Sequence, residues 1–205
     1  MARDRRQQFL EAGAAVFAEK GYHDARVDDF VARVGVARGT FYLYFDDKRA
    51  LFEALVARFM LRLTDAIEPI ELSDPGVDPI AALRANLLRV VVAFVETPAM
   101  AKILLSTAVG VDPDFDRRLL SFYEEITALI VRSLSQAEAA GLVRPGHAQI
   151  RSFCLVGLLK ETLYQLVLRG ATFPPEALVD TMLDLVSRGI FVRPGDASAT
   201  IVAAP

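Results

Sequence analysis

The 205-residue sequence predicts an all-α protein with an N-terminal helix-turn-helix. Three observations carry that expectation. Apolar residues recur every three to four positions through most segments, the spacing of one helical face. Glycine and proline stand at the ends of those segments, where helices stop and start. The stretch from Val27 to Phe45 reads as two short helices around a tight turn, the second of them small, aromatic and polar enough for a DNA groove.

The elements follow in order. A first helix is expected from Arg3 to Lys20, with Phe9, Leu10, Val16 and Phe17 inward and Gly21 as its stop. Val27, Phe30, Val31 and Val34 form the stripe of a second helix, and Gly35 supplies the positive φ of its exit. Val36 can plug the corner, and Phe41 and Phe45 lie four apart on the inner face of the third helix. A fourth helix from Asp47 to about Ile67 places Leu51, Leu55, Phe59 and Leu63 on one face and joins the reader to the rest. Glu68 to Pro79 is a loop. Helices are then expected near Ile80–Glu96, Pro98–Ser106 and Asp114–Ala140, the last ended by Gly141 and Pro145-Gly146. Two more follow near Ala148–Arg169 and, opened by Thr172 to Glu176, up to about Arg188. The tail from Arg193 to Pro205 is small, polar and alanine-rich and is expected to be disordered.

The third helix carries the chemistry. Arg38, Gly39 and Thr40 stand at its N-terminal tip, the part of a recognition helix that meets base edges. Gly39 permits close backbone approach, and Arg38 can reach guanine O6/N7 or a phosphate. Tyr42, Leu43 and Tyr44 are assigned to the outer face, with Lys48 just beyond. Hydroxyls and a lysine suit phosphate contacts, which set position rather than sequence. The alternative, an ordinary helical hairpin with an aromatic core, accounts for Phe41 and Phe45 but not for Arg-Gly-Thr at a helix start.

These residues resemble the tetracycline-repressor (TetR) family of transcriptional regulators. The similarity runs from Phe17-Ala-Glu-Lys-Gly-Tyr22 through Val27-Asp-Asp and Gly35 to Phe45, and ends near Asp47 to Leu51. It spans about the first quarter of the chain. The resemblance implies a helix-turn-helix reader at residues 1–47 and a helical effector-binding and dimerisation domain at 48–192, followed by the tail at 193–205. The sequence departs from the family pattern at three positions. Arg26 replaces a capping Ser or Thr; it cannot accept the amide bonds of an N-cap, but it can contact phosphate. Asp24 could cap from further back, or Asp28 and Asp29 could favour the helix start through its dipole. Ala37 stands where a capping Ser is common, and Gly13 replaces an alanine at a small helical cost.

Composition sets bounds. Hydrophobic content of 53% implies much apolar surface hidden in a core, an interface or a cavity. No apolar run approaches the roughly 18 residues of a membrane span, and the charged start Met1 to Arg6 is no signal segment. A cytoplasmic protein is expected. The single cysteine, Cys154, excludes an internal disulfide and is assigned to inert packing. The net charge of −3 divides into +1 over residues 1–50 and −4 beyond, so the reader is only weakly basic. Specific binding must then come from placed contacts and two half-sites. An enzyme is not expected: His23 and His147 have no second ligand at metal spacing, and Asp112, Asp114 and Asp116 read as turn carboxylates. No cofactor and no metal are expected.

The resemblance also implies a small-molecule effector and a homodimer. The residues assigned to an apolar effector pocket are Phe59, Met100, Leu104, Phe122, Tyr123, Phe153, Lys160 and Tyr164. Core packing and, for Lys160 and Glu161, a solvated or ion-paired face are the competing readings. Apolar residues nearly all round the helix at 153–167 point to burial on two faces, either in one large core or in a dimer. Leu159, Leu163, Val167, Leu178, Met182 and Leu185 are assigned to the dimer interface. The expected function is a repressor released from a palindromic DNA operator by a small, largely apolar effector that tilts the fourth helix. The alternative is an activator or a ligand-independent DNA binder with the same reader.

Overall fold

The computed structural model describes residues 2–72, 74, 76–106 and 113–190. The expected tail at 193–205, and the side chains of Asp112 and Asp114, lie outside the described residues. Nine α-helices are present among the described residues: α1 (Ala2–Asp24), α2 (Val27–Val34), α3 (Arg38–Phe41), α4 (Lys48–Asp65), α5 (Pro79–Glu96), α6 (Pro98–Ser106), α7 (Pro113–Ala139), α8 (Ala148–Val167) and α9 (Pro175–Ile190). Gly21, with φ 77°, kinks α1 where the sequence predicts its stop, and the helix continues for three residues, Tyr22 to Asp24, beyond it.

The first four helices close around aromatic rings. Phe9, Phe17, Phe30, Phe41, Phe45 and Phe52 are all buried. Phe9 meets Phe41 edge-on at 5.4 Å, and Phe17 lies 5.1 Å from both Phe30 and Phe52. Edge-to-face pairs of this kind add to plain area burial and fix ring orientation. Because Leu51, Phe52 and Leu55 of α4 pack on α1, this packing unit extends past residue 47. Gly13 sits where α1 and α4 approach: a Cβ there would lie 2.9 Å from a methyl of Leu51. The glycine therefore serves close packing, which offsets its helical cost.

Gly35 ends α2 at φ 74° and ψ 41°, and its N–H donates to the Val31 carbonyl. No neighbour would touch an added Cβ, so a substitution would act on the backbone alone. Gly35→Ala is expected to lower stability by about 1–2 kcal/mol, the left-handed penalty of an L-residue. Urea denaturation checks this, and an unchanged midpoint would show that the turn relaxes to another geometry.

The buried cluster continues without a break from the aromatic unit into the other helices. Phe59 of α4 meets Phe94 of α5 edge-on at 5.1 Å. Met100, Ala101, Ile103 and Leu104 of α6 are buried where that helix packs against α1, α4 and α8. α9 packs on α5 through Leu178, Val179 and Met182, with Arg84 paired to Asp180 at its rim. α7 and α8 pack against each other. Asn86 and Arg89 of α5 hold the chain leaving α4 through the Glu68 amide and carbonyl and the Ala66 carbonyl. Among the described residues, no helix is long and apolar enough to cross a membrane.

Candidate nucleic-acid interface

The helix-turn-helix stands on the aromatic floor. Phe41 and Phe45 point down into it, which turns Arg38, Gly39, Tyr42 and Leu43 outward. Leu43 is 78% exposed, a large apolar side chain offered to solvent by a rigid base. Apart from its own helix backbone and chain neighbours, nothing among the described residues lies within 4 Å of a Cβ built on Gly39, so the space above it is open to a partner. Regular α-helix lasts one turn, Arg38–Phe41, and residues 42–44 continue as tighter turns.

Neither short helix has a side-chain cap from its own N-cap residue, as Arg26 and Ala37 require. α2 is capped from within instead. The Asp29 carboxylate accepts the Arg26 N–H at 2.9 Å and pairs with Lys20 at 2.6 Å. The Lys20 ammonium, and then the Arg26 amide, hold the Asp29 carboxyl below its ordinary range. Its contribution to folding is therefore present at neutral pH and is lost in acid as the carboxyl protonates. Arg26 remains exposed at the helix start.

Arg38 does not float free. Its Nη1 donates to both oxygens of Asp28, at 2.9 and 3.0 Å, and its Nη2 reaches the Tyr42 hydroxyl at 3.4 Å. Sequence reasoning missed this pairing because the partners are ten residues apart on different helices.

Two residues of the expected outer face are placed differently. Tyr44 is half-buried, its ring 5.9 Å from Phe9, because the tightened turn after Phe41 swings it towards the core. Lys48 turns inward: its ammonium donates to the carbonyls of Tyr22, His23 and Ala25 at 2.9, 2.9 and 3.0 Å and lies over the Tyr22 ring. Those carbonyls lie where α1 ends, and a cation there satisfies acceptors that the helix leaves over. Lys48 thus ties α4 to the end of α1.

The expected effector residues divide. Phe59, Met100, Leu104 and Phe122 are buried in the common core, and Tyr123 and Tyr164 lie half-buried against it. Burial pushes the Tyr123 hydroxyl above its ordinary pKa. Lys160 is exposed and lies 5.7 Å over the Tyr123 ring, while Glu161 is exposed and accepts from Gln165, as the solvated reading expects. Phe153 stands apart at 57% exposure, outside the cluster, because it faces away from the contacts of α8 with α6 and α7. The surface hollows seen lie elsewhere, one between α1 and α2 at Arg5, Gln8 and Arg33, the other at Ser135, Glu138 and Ala148.

The expected dimer residues also need re-sorting. Leu163, Leu178 and Met182 are buried within the chain, and Leu159 and Val167 are half-buried against the core. α9 spends the Leu178–Met182 stripe on α5, so it cannot also face a second subunit. Leu185 alone of the six is strongly exposed, at 59%. On α8 and α9 the apolar surface left over is Ile150, Phe153, Cys154 and Gly157 with Leu185, and Leu61 of α4, Leu120 of α7 and Phe173 are exposed elsewhere. Cys154 is accordingly exposed, not packed. The three-, four- and seven-residue spacing of 150, 153, 154 and 157 was a readable stripe.

Among the described residues, no cluster of three His, Cys, Asp or Glu side chains can hold a metal. Comparison with known proteins completes the picture. Residues 9–55 match the model of the family described as bacterial regulatory proteins, tetR family. An uncharacterised HTH-type transcriptional regulator of Bacillus subtilis, YdgC, is 23% identical over 94% of this chain and 96% of its own length. Matches at 36–39% identity extend over only 62 to 81 residues. A TetR-like transcriptional regulator from Rhodococcus sp. RHA1 superimposes with a TM-score of 0.74 at 24% identity, over 90% of this chain and 94% of that one. The Bacillus subtilis regulator FadR, solved in complex with stearoyl-CoA, does so with a TM-score of 0.72 at 20% identity, over 89% and 98%. The structural likenesses concern the fold.

Proposed function

We propose that this chain, whose residues 9–55 match the tetR family of bacterial regulatory proteins, is a transcriptional regulator of that family and not an enzyme: a homodimeric, ligand-released repressor acting in the cytoplasm on a palindromic operator. One observation carries the reading: Arg38, Gly39, Tyr42 and Leu43 are displayed to solvent on a floor of buried aromatic rings. Arg38 and Thr40 read base edges, while Arg26 and Tyr42 contact backbone phosphates. Residues 1–47 act as the reader and 48–192 as the effector and dimer part. The dimer forms through the exposed Ile150, Phe153, Cys154 and Gly157 of α8 with Leu185 of α9, which supplies paired half-sites.

The effector is a small, largely apolar molecule that enters the cluster around Phe59, Met100, Leu104, Phe122, Tyr123 and Tyr164. The apolar character of these residues supports this, as does the apolar acyl chain of the stearoyl-CoA in complex with the FadR protein of similar fold. Two links to the reader are available. α4 belongs to both packing units, and α6 packs directly on α1, where Lys102 donates to the Ala18 carbonyl. An effector that favours a tilted α4 and α6 weakens operator binding, and the operator weakens effector binding by the same factor.

The test is selection of genomic DNA fragments by the purified protein at near-physiological salt. Recovery of one palindromic motif is expected, and Arg38→Ala is expected to lose discrimination by about 1–3 kcal/mol at one base pair of each half-site. Recovery of only scattered, salt-sensitive fragments would overturn the reading.

A further inference from the structure

Two neighbouring carboxylates open α2, and they do different work. Asp29 is committed to the helix start, through the Arg26 amide and Lys20. Asp28 takes no part in that cap; its two oxygens are both turned to Nη1 of Arg38. Both partners are more than half exposed, 58% for Arg38 and 64% for Asp28. An exposed pair of this kind adds little to folding. On a surface that must approach phosphates, an acid also works against binding. Its place there calls for a gain of another kind.

The geometry supplies one. An unrestrained arginine samples many rotamers and can settle on any phosphate. Here the guanidinium is held at Nη1 by Asp28 and touched at Nη2 by Tyr42, from two different sides. Among the described residues nothing accepts a hydrogen bond from Nε. With Nη1 taken up by Asp28, the Nε–Nη2 edge of this exposed guanidinium is the one left for a partner, and a planar fork matches the paired acceptors of guanine. We propose that Asp28 is a positioning residue for sequence reading: with Tyr42 it aims the Nε–Nη2 edge of Arg38 at the O6/N7 pair of one guanine per half-site, and its charge disfavours sequence-independent DNA. This rests on the regulator reading given above.

The experiment uses the full chain and the duplex recovered by selection, with each base pair of the half-site replaced in turn and a scrambled duplex as control. Wild type, Asp28→Ala, Asp28→Glu, Arg38→Ala and the Asp28→Ala/Arg38→Ala double variant are compared by fluorescence anisotropy. Asp28→Ala is expected to reduce preference for guanine at one position about tenfold, and to bind the scrambled duplex severalfold more tightly. Asp28→Glu should restore part of the preference. In the Arg38→Ala background, removing Asp28 should change nothing further at that position. Unchanged discrimination in Asp28→Ala, an equal loss on the Arg38→Ala background, or a uniform loss at all positions would each overturn the proposal. Wild type that discriminates while the Asp28 variants discriminate equally well sinks only this assignment; wild type that selects no sequence sinks the regulator reading itself.

Discussion

Phe153→Glu is expected to convert the protein into a folded monomer of 22.5 kDa that no longer holds its operator. In the single chain Phe153 is 57% exposed, and it shares the outer face of α8 with Ile150, at 55%, and Cys154. Exchange for a carboxylate therefore costs the chain's own fold little, about 0.5 kcal/mol or less. In the proposed dimer the same change acts twice, burying a like charge from each subunit in the interface. Loss of the second half-site should lower operator affinity by roughly 10²–10⁴, the gain that linked sites give. Light scattering after gel filtration reads the mass, and anisotropy reads the affinity. Leu163→Ala makes the contrast. That side chain is buried within the chain, so its loss should cost about 2–5 kcal/mol of stability and leave the dimer contact surface intact. If Phe153→Glu stayed dimeric while Leu163→Ala fell apart without unfolding, the outer face of α8 would not be the interface.

The second large effect falls on Lys48. Its ammonium gathers three carbonyls at the end of α1 and covers the Tyr22 ring. Lys48→Ala should lower stability by about 2 kcal/mol, on the scale of hydrogen bonds to a charged group. For a chain of this length that is a fall in melting temperature of about 4–8 °C. DNA binding should weaken because α1 and α4 lose their tie, with the salt dependence of binding unchanged. A lysine on a phosphate behaves otherwise: its removal flattens the slope of log K against log salt by about 0.9 and leaves melting alone. Calorimetry and a salt titration on the same variant separate the two roles.

The two variants mark where sequence reasoning stops. Local signals were sufficient for the helices. Pro79, Pro98 and Pro175 open α5, α6 and α9, and Gly35 closes α2, each within a residue or two of its expected place. Those features act through backbone sterics over a few bonds and need no knowledge of the rest of the molecule. The inward rings of the reader were legible for the same reason, since Phe9, Phe17, Phe41 and Phe45 follow from helical period alone.

What the sequence by itself determined was an all-helical chain with a helix-turn-helix whose Arg38, Gly39 and Tyr42 face outward. The tertiary structure decided how shared resources were divided. α8 and α9 are apolar on more than one side, and period alone cannot say which stripe meets its own core. Packing on α5 claimed Leu178 and Met182 of α9 and left Leu185 outside, while packing of α8 on α6 and α7 left Phe153 outside. Lys48 and Asp28 are charged residues near a DNA-reading helix, and either suits a surface role. The fold brought three carbonyls to the first and a guanidinium to the second. Periodicity is a one-dimensional property of each helix, whereas the choice of partner depends on which distant groups the fold sets within 3 Å.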